Sequence, residues 1–131
     1  MATIFSKIIG GEIPCHKVAE NDEFLAFLDI RPMAEGHTLV VPKQETDYLF
    51  DLDDELLGRM MAFAKRVAAA QRAAVPCLRI GLMVIGLEVP HAHVHLIPIR
   101  QEADMNLSRK RPDFAPEELA AIAARIHDNW I

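Results

Sequence analysis

The chain has 131 residues, 51% of them hydrophobic and 25% charged, with a formal net charge of -5 at pH 7, which fits a single domain, residues 1–131, able to bury a core of its own. Its basic run is Arg109-Lys110-Arg111, far short of the stripe that wraps a nucleic-acid backbone, and no stretch approaches the ~20 apolar residues of a membrane span, so neither nucleic acid nor membrane is an expected partner. The first residues lack a charged-then-apolar leader, and Cys15 and Cys77 are far apart, which suits a reducing, cytoplasmic setting better than a disulfide scaffold.

Residues 4–13 predict a short helix followed by a turn at Gly10-Gly11. Lys17–Glu20, Phe24–Asp29 and Thr38–Pro42 are candidate strands, separated by the turn signals Asn21-Asp22 and Arg31-Pro32. Phe24 to Leu28 is apolar throughout, as a strand covered on both faces is. Asp51 to Val75 reads as a long helix. Asp51 is its candidate cap, Asp53, Asp54 and Glu55 favour its positive end, and Pro76 stops it. Leu57, Met60, Met61, Ala64, Val67 and Ala68 recur at helical spacing as its core face. Leu78–Ile85 and Val89–Ile99 predict two strands joined by a tight turn at Gly86, an antiparallel hairpin. Gln101–Ala115 is polar, with two basic clusters, and reads as a loop. Pro116 in a first helical turn, followed by Glu117 and Glu118, starts a last helix with Leu119, Ile122, Ala123, Ile126 and Trp130 on its apolar face. The order of elements predicts an α+β fold: a meandering antiparallel sheet, a long helix and a C-terminal helix.

Half of the six histidines lie in His91-Ala92-His93-Val94-His95-Leu96-Ile97. On an extended strand the three imidazoles share one face, opposite Ala92, Val94 and Leu96. A row of groups titrating near neutrality can hold a nucleophile, a proton donor and a hydrogen-bond donor together, which suits chemistry at anionic oxygen. Packing them for structure alone needs partners for six ring nitrogens. Metal binding is the rival reading, with His37 or Glu88 as the further ligand.

This run resembles the His-φ-His-φ-His-φ-φ signature (φ apolar) of the histidine triad nucleotide hydrolases and transferases. Ile4-Phe5-Ser6-Lys7-Ile8-Ile9-Gly10-Gly11-Glu12-Ile13-Pro14 is similar to that family's opening. Phe24-Leu25-Ala26-Phe27-Leu28-Asp29-Ile30 and Gly36-His37-Thr38-Leu39-Val40-Val41-Pro42-Lys43 match its next two segments in the same order. The similarity spans residues 3 to 99 and is closest to the small, single-domain nucleotide-binding branch. It implies a homodimer, a purine nucleotide substrate, no cofactor and no catalytic metal. It also implies that His93 attacks the α-phosphorus to form a nucleotidyl-imidazole, its other ring nitrogen oriented by a backbone carbonyl near His91. His91 and His95 are implied as donors to phosphoryl oxygens, and His37 as the fourth member beside the row. Ile4, Phe5, Ile8, Phe27 and Ile30 match the positions that sandwich the base. Asp29 matches the carboxylate that accepts from both ribose hydroxyls, with a turn cap before Arg31-Pro32 as its competing explanation.

The chain also departs from the family. The usual Asn-x-Gly…Gly-Gln-x-Val segment before the triad is shortened to Ile80-Gly81-Leu82-Met83-Val84-Ile85-Gly86-Leu87-Glu88-Val89-Pro90. Leu87 cannot donate a hydrogen bond, and Glu88 at the substrate-binding position repels a phosphate unless it pairs with Arg79 or Arg100. Thr3 and Ser6 stand where some bacterial members carry a zinc-binding Cys-x-x-Cys. Three functions remain open to such a chain. The first is cleavage at the α-phosphate of a phosphoramidate, an adenylate adduct or a dinucleoside polyphosphate. The second is a nucleotide-binding scaffold with weakened catalysis, and the third a metal-dependent hydrolase using His91, His93 and His95 with Glu88.

Overall fold

Thr3 opens the first helix, α1 (Ile4–Ile9), by accepting a hydrogen bond from the Ser6 N–H on its side chain, and Gly10-Gly11 ends it, with Gly11 at φ 82°. The computed structural model describes residues 2–130. After α1 the strands β1 (Lys17–Glu20), β2 (Phe24–Leu28) and β3 (Thr38–Pro42) run as an antiparallel meander. The turn between β1 and β2 is closed by the Asn21 side chain, which accepts from the N–H groups of Glu23 and Phe24. Every residue of β2 and β3 is buried, for β2 as its unbroken apolar run predicts. Alternation explains this: Phe24, Ala26, Leu28 and Val40 face the helical layer, while Leu25, Phe27, Leu39 and Val41 face α1.

The long helix, α2 (Asp54–Ala74), starts later than the sequence suggests. Asp53, rather than Asp51, caps it by accepting from the Leu56 N–H at 2.7 Å, because Asp51 is used in a short 3-10 turn, Leu49–Asp51. Its buried stripe is Leu56, Met60, Phe63, Ala64, Val67, Ala70 and Gln71. Met61 lies about 100° around the helix from Met60 and is 42% exposed, so the expected face is corrected by one position. Gln71 is the polar member of this stripe. Its Nε2 donates to the carbonyls of Gly36 and Leu96, both at 2.9 Å, tying the helix to the turn that carries His37 and to the strand that carries His95.

β4 (Arg79–Met83) and β5 (Val94–Ile99) pair antiparallel from Arg79 opposite Ile99 to Met83 opposite His95. β5 also pairs with β3, so the sheet order is β1-β2-β3-β5-β4, with β4 at the edge. The expected tight hairpin at Gly86 is not formed. Residues 84–93 make a longer connection because their amides are used elsewhere: His91 N–H donates to the Val89 carbonyl and Ala92 N–H to the Thr46 carbonyl, while Pro90 has none to give. The loop after β5 contains a 3-10 turn, Glu102–Met105. The last helix, α3 (Pro116–Asp128), begins at Pro116, with Glu118 accepting from the Ala115 N–H. It buries Leu119, Ile122, Ala123 and Ile126, and the Trp130 ring packs at a tilt against Phe63, centroids 5.1 Å apart. The α+β class read from the sequence is the observed one. Among the described residues no helix is long and apolar enough to cross a membrane.

Candidate active site

Of the three alternating histidines only His95 lies on a strand, opposite Leu39 of β3 and Met83 of β4; His91 and His93 precede β5. The backbone nevertheless keeps the expected alternation, because Ala92, Val94 and Leu96 join the core on the helical side. The rings of His93 and His95 are 5.0 Å apart, those of His37 and His95 5.2 Å, and Phe5 meets His93 edge-on at 5.0 Å. His37 enters from the turn before β3. There Gly36 holds φ 86°, and a Cβ on it would lie 2.9 Å from a Val75 methyl, so the approach of that turn to α2 requires glycine.

Backbone donors and acceptors fix the proton positions in this group. The Met33 N–H donates to His37 Nδ1 at 3.0 Å, so Nδ1 is bare and the His37 proton sits on Nε2. That proton points at His95 Nδ1, 3.0 Å away, which makes His95 an acceptor there and leaves its proton on Nε2. The carbonyl of His91 lies 2.7 Å from His93 Nδ1 and can only accept, so His93 carries its proton on Nδ1 and presents the Nε2 lone pair. Burial, followed by the charges of His95 and Arg111, holds His37 down to about 3. Burial, then the charges of His93 and Arg111, brings His95 to about 4. Both rings are therefore neutral at pH 7. The outcome is one lone pair beside one N–H donor.

His91 is not arranged as a phosphate donor, which corrects that expectation. Its ring is fully buried; Nε2 donates to the Pro42 carbonyl at 2.8 Å, and Nδ1 is 2.9 Å from Thr3 Oγ1. Since Nε2 carries the proton in neutral imidazole, Thr3 donates to Nδ1. Ser6 Oγ lies 3.1 Å from Thr3 Oγ1 and donates to Glu45. The positions expected to lack a Cys-x-x-Cys thus form, with Glu45, a hydrogen-bonded cluster around His91. His91 contributes its main-chain carbonyl to the site, while its side chain serves as an anchor.

The apolar residues expected around a base divide. Phe5, Ile8 and Phe27 come together on the α1 side of the sheet, with Phe5 and Phe27 at 5.7 Å edge-on. Ile4 is 49% and Ile30 72% exposed, open to a ligand rather than packed as core. Asp29 Oδ1 accepts from the Arg31 N–H at 2.8 Å, the expected turn cap, while Oδ2 stands 3.8 Å from His37 Nε2. Burial pushes the Asp29 carboxyl up, against the lowering influence of the Arg31 N–H and of Arg111. Asp29, Ile30 and Glu88 line a cavity of about 580 Å³ whose other wall is the loop from Leu107 to Phe114. Neither expected partner, Arg79 or Arg100, reaches Glu88, which forms no ion pair among the described residues.

The metal set considered from the sequence, His91, His93 and His95 with Glu88, is not assembled, because both His91 nitrogens are engaged. The group that does converge is Asp29, His37 and His95, with ligand atoms within 4.8 Å of one another. A cation there would replace the His37–His95 hydrogen bond. Sequence reasoning missed Met33, Gln71 and the Thr3–Ser6–Glu45 cluster. Only Gln71 carried a signal, as an amide in an otherwise apolar helical stripe.

The chain is similar to known proteins in both sequence and fold. The model of the HIT domain family matches residues 10–102. The chain is 45% identical over 102 residues to an adenosine 5'-monophosphoramidase of Saccharomyces cerevisiae, covering 77% of this chain and 65% of that protein, just under two thirds of its length. It is 34% identical over 128 residues to the adenosine 5'-monophosphoramidase of Schizosaccharomyces pombe, covering 96% of each. A crystal structure of a Hit-like protein from Bartonella henselae superposes with a TM-score of 0.84 at 32% identity, covering 97% of this chain and 95% of that one.

Proposed function

The chain belongs to the HIT domain family, and from that premise we propose that it is a nucleotide hydrolase or transferase cleaving at the α-phosphate of a purine nucleotide conjugate through a nucleotidyl-His93 intermediate. The observation that carries this reading is the 2.7 Å contact of His93 Nδ1 with the His91 carbonyl, which leaves Nε2 as a free lone pair beside the His95 Nε2–H. A neutral imidazole so oriented is a competent nucleophile. In the first step a bond forms from His93 Nε2 to phosphorus and the bond to the leaving group breaks, its electron pair staying on the oxygen of a leaving phosphate or, for an amine, taking up a proton from solvent on the leaving nitrogen. The His95 N–H donates to a phosphoryl oxygen as charge builds there. In the second step water attacks, the N–P bond returns its pair to His93, and the nucleoside monophosphate leaves with release of a proton.

The base in this reading lies against Phe5, Ile8 and Phe27, with Ile4 and Ile30 as exposed flaps and Asp29 accepting from the ribose hydroxyls. The working form is a homodimer in the cytoplasm. Its support is the free edge strand β4 and its flanks, where Leu78, Leu82, Val84 and Ile85 are 62%, 45%, 38% and 40% exposed.

The test is incubation with adenosine and guanosine phosphoramidates and dinucleoside polyphosphates after exhaustive chelation, with quenched samples examined for a nucleotide on His93. Cleavage without metal and a mass gain on His93 are expected. His93→Ala removes several powers of ten in rate and keeps AMP affinity within an order of magnitude. More than about a tenth of the rate surviving in that variant, or activity that needs an added cation, overturns the mechanism.

A further inference from the structure

An anionic substrate entering this site meets little positive charge from the histidines. His37 and His95 are neutral at pH 7, and the adjoining cavity, which the histidines do not line but which meets them at Asp29, 3.8 Å from His37 Nε2, carries the carboxylates of Asp29 and Glu88 on its wall. The shortened segment before the triad adds no side-chain donor, and Leu87 is apolar and 89% exposed. The compensating charge lies across the cavity, where Arg31, Arg109, Lys110 and Arg111 line the same 580 Å³ space. Arg109 is tied to Asp104 in an ion pair. Arg111 is differently placed: its Nη1 donates to the Arg31 carbonyl at 2.7 Å, two residues from Asp29, and the guanidinium has further N–H groups beyond that bond. Its charge acts on Asp29, His37 and His95 alike.

We propose that Arg111, held on the Arg31 carbonyl at the cavity wall, is the anion-binding and specificity-determining residue of the site, selecting nucleotide conjugates whose leaving group is itself a phosphate anion over those that leave as an amine. The inference rests on the α-phosphate cleavage proposed above. When the leaving atom is a bridging oxygen of a polyphosphate, the electron pair of the broken P–O bond stays on that oxygen. A guanidinium stabilises the resulting anion without transferring a proton. An amine leaving group instead needs a proton on nitrogen as the P–N bond breaks, which fixed positive charge does not supply. Arg111 therefore favours the first class.

The experiment measures affinities of the full chain and of Arg111→Ala for adenosine, AMP and ADP, together with kcat/KM for adenosine 5'-phosphoramidate and diadenosine triphosphate. Loss of a charge-assisted contact lowers ADP affinity about tenfold or more and adenosine affinity less than about threefold. The kcat/KM for the triphosphate falls about ten times further than for the phosphoramidate, and Arg111→Lys regains most of the ADP affinity. Equal losses for adenosine and ADP show that Arg111 only ties the loop to Arg31 and overturn the inference. So does a wild-type protein that binds adenosine as tightly as ADP. The affinity comparison needs no turnover, so a protein that prefers ADP through Arg111 yet cleaves neither substrate refutes the proposed activity and leaves the anion site standing.

Discussion

His37 Nε2 stands 3.0 Å from His95 Nδ1, and the Met33 N–H on the far side of the His37 ring determines which of the two donates. A proton added to His37 Nδ1 would face that N–H directly, with a hydrogen on both sides of one contact. A proton added to His95 Nδ1 would oppose the His37 Nε2–H in the same way. Burial is the main cause of the pair's neutrality, this geometry acts in the same direction, and the His95 proton is left on Nε2.

Stability falls on mild acidification because burial, then neighbouring charge, holds both histidines below their ordinary value. The folded-state values of about 3 for His37 and about 4 for His95 lie below the ordinary histidine value of ~6.5. As pH drops through ~6.5 the unfolded chain takes up protons that the folded chain refuses until about 4 and then about 3, so the unfolded state gains. The contribution is complete above ~6.5 and is lost as pH falls, at up to about 1.4 kcal/mol per pH unit for each proton. Asp29, whose carboxyl is raised, works in the opposite direction at lower pH. Denaturant titrations at pH 7 and pH 5 are expected to give a lower unfolding free energy at pH 5, with a smaller drop in His37→Asn. Equal stabilities at the two pH values refute the neutral pair.

The sheet, the long helix and the grouping of His93 and His95 were legible because side-chain periodicity records them directly. Phe24 to Leu28 reads as covered on both faces and is so. The connection between β4 and β5 was misread, because Gly86 signals a turn whereas the amides of His91 and Ala92 are claimed by Val89 and by distant Thr46. The fate of the His91 side chain was likewise hidden. Its partners, Thr3 and Pro42, lie 88 and 49 positions away in the chain, and no local pattern marks such contacts. Which nitrogen of each ring carries the proton depends on single backbone groups, Met33 N–H and His91 C=O, that have no signature in side-chain chemistry.

Asp29→Asn is expected to weaken ribonucleotide binding more than 2'-deoxyribonucleotide binding, by about 1–3 kcal/mol. Asparagine keeps an oxygen for the Arg31 N–H, so the turn survives, but it offers an NH2 in place of the second acceptor. Calorimetry with AMP and 2'-deoxy-AMP decides the matter. Equal losses for the two sugars assign Asp29 to the turn alone.

Thr3→Val removes the hydroxyl that donates to His91 Nδ1 and also caps α1. A buried acceptor left without its partner costs about 1–3 kcal/mol in stability, and the His91 carbonyl that orients His93 loses part of its anchor. The expected kinetic result is a severalfold lower kcat with little change in KM, restored by Thr3→Ser. Nitrogen chemical shifts of the His93 ring provide the direct readout, since loosening the carbonyl lets the second tautomer appear. Unchanged shifts and kcat, with only a lower Tm, confine Thr3 to the helix cap.

Under the proposed function Glu88 brings negative charge toward an anionic substrate, and neither Arg79 nor Arg100 neutralises it. It is exposed, lines the cavity with Asp29 and Arg111, and forms no ion pair among the described residues. Solvent screens such a charge strongly, so relief of repulsion is far smaller than the same contact yields in a dry interior. Glu88→Ser is therefore expected to raise kcat/KM by about two- to tenfold at low salt, with the gain shrinking as ionic strength brings the Debye length below ~10 Å. Glu88→Gln, which keeps the length and removes the charge, should reproduce most of the gain, so that charge rather than a new hydroxyl donor is identified as the cause. Because Glu88 has no structural partner, Tm should stay within about a degree, as for surface substitutions away from packed groups. Steady-state rates for both variants at low and high salt, with a melting curve for each, separate the possibilities. A kcat/KM that is unchanged, lower, or raised equally at all salt concentrations rejects electrostatic repulsion by Glu88.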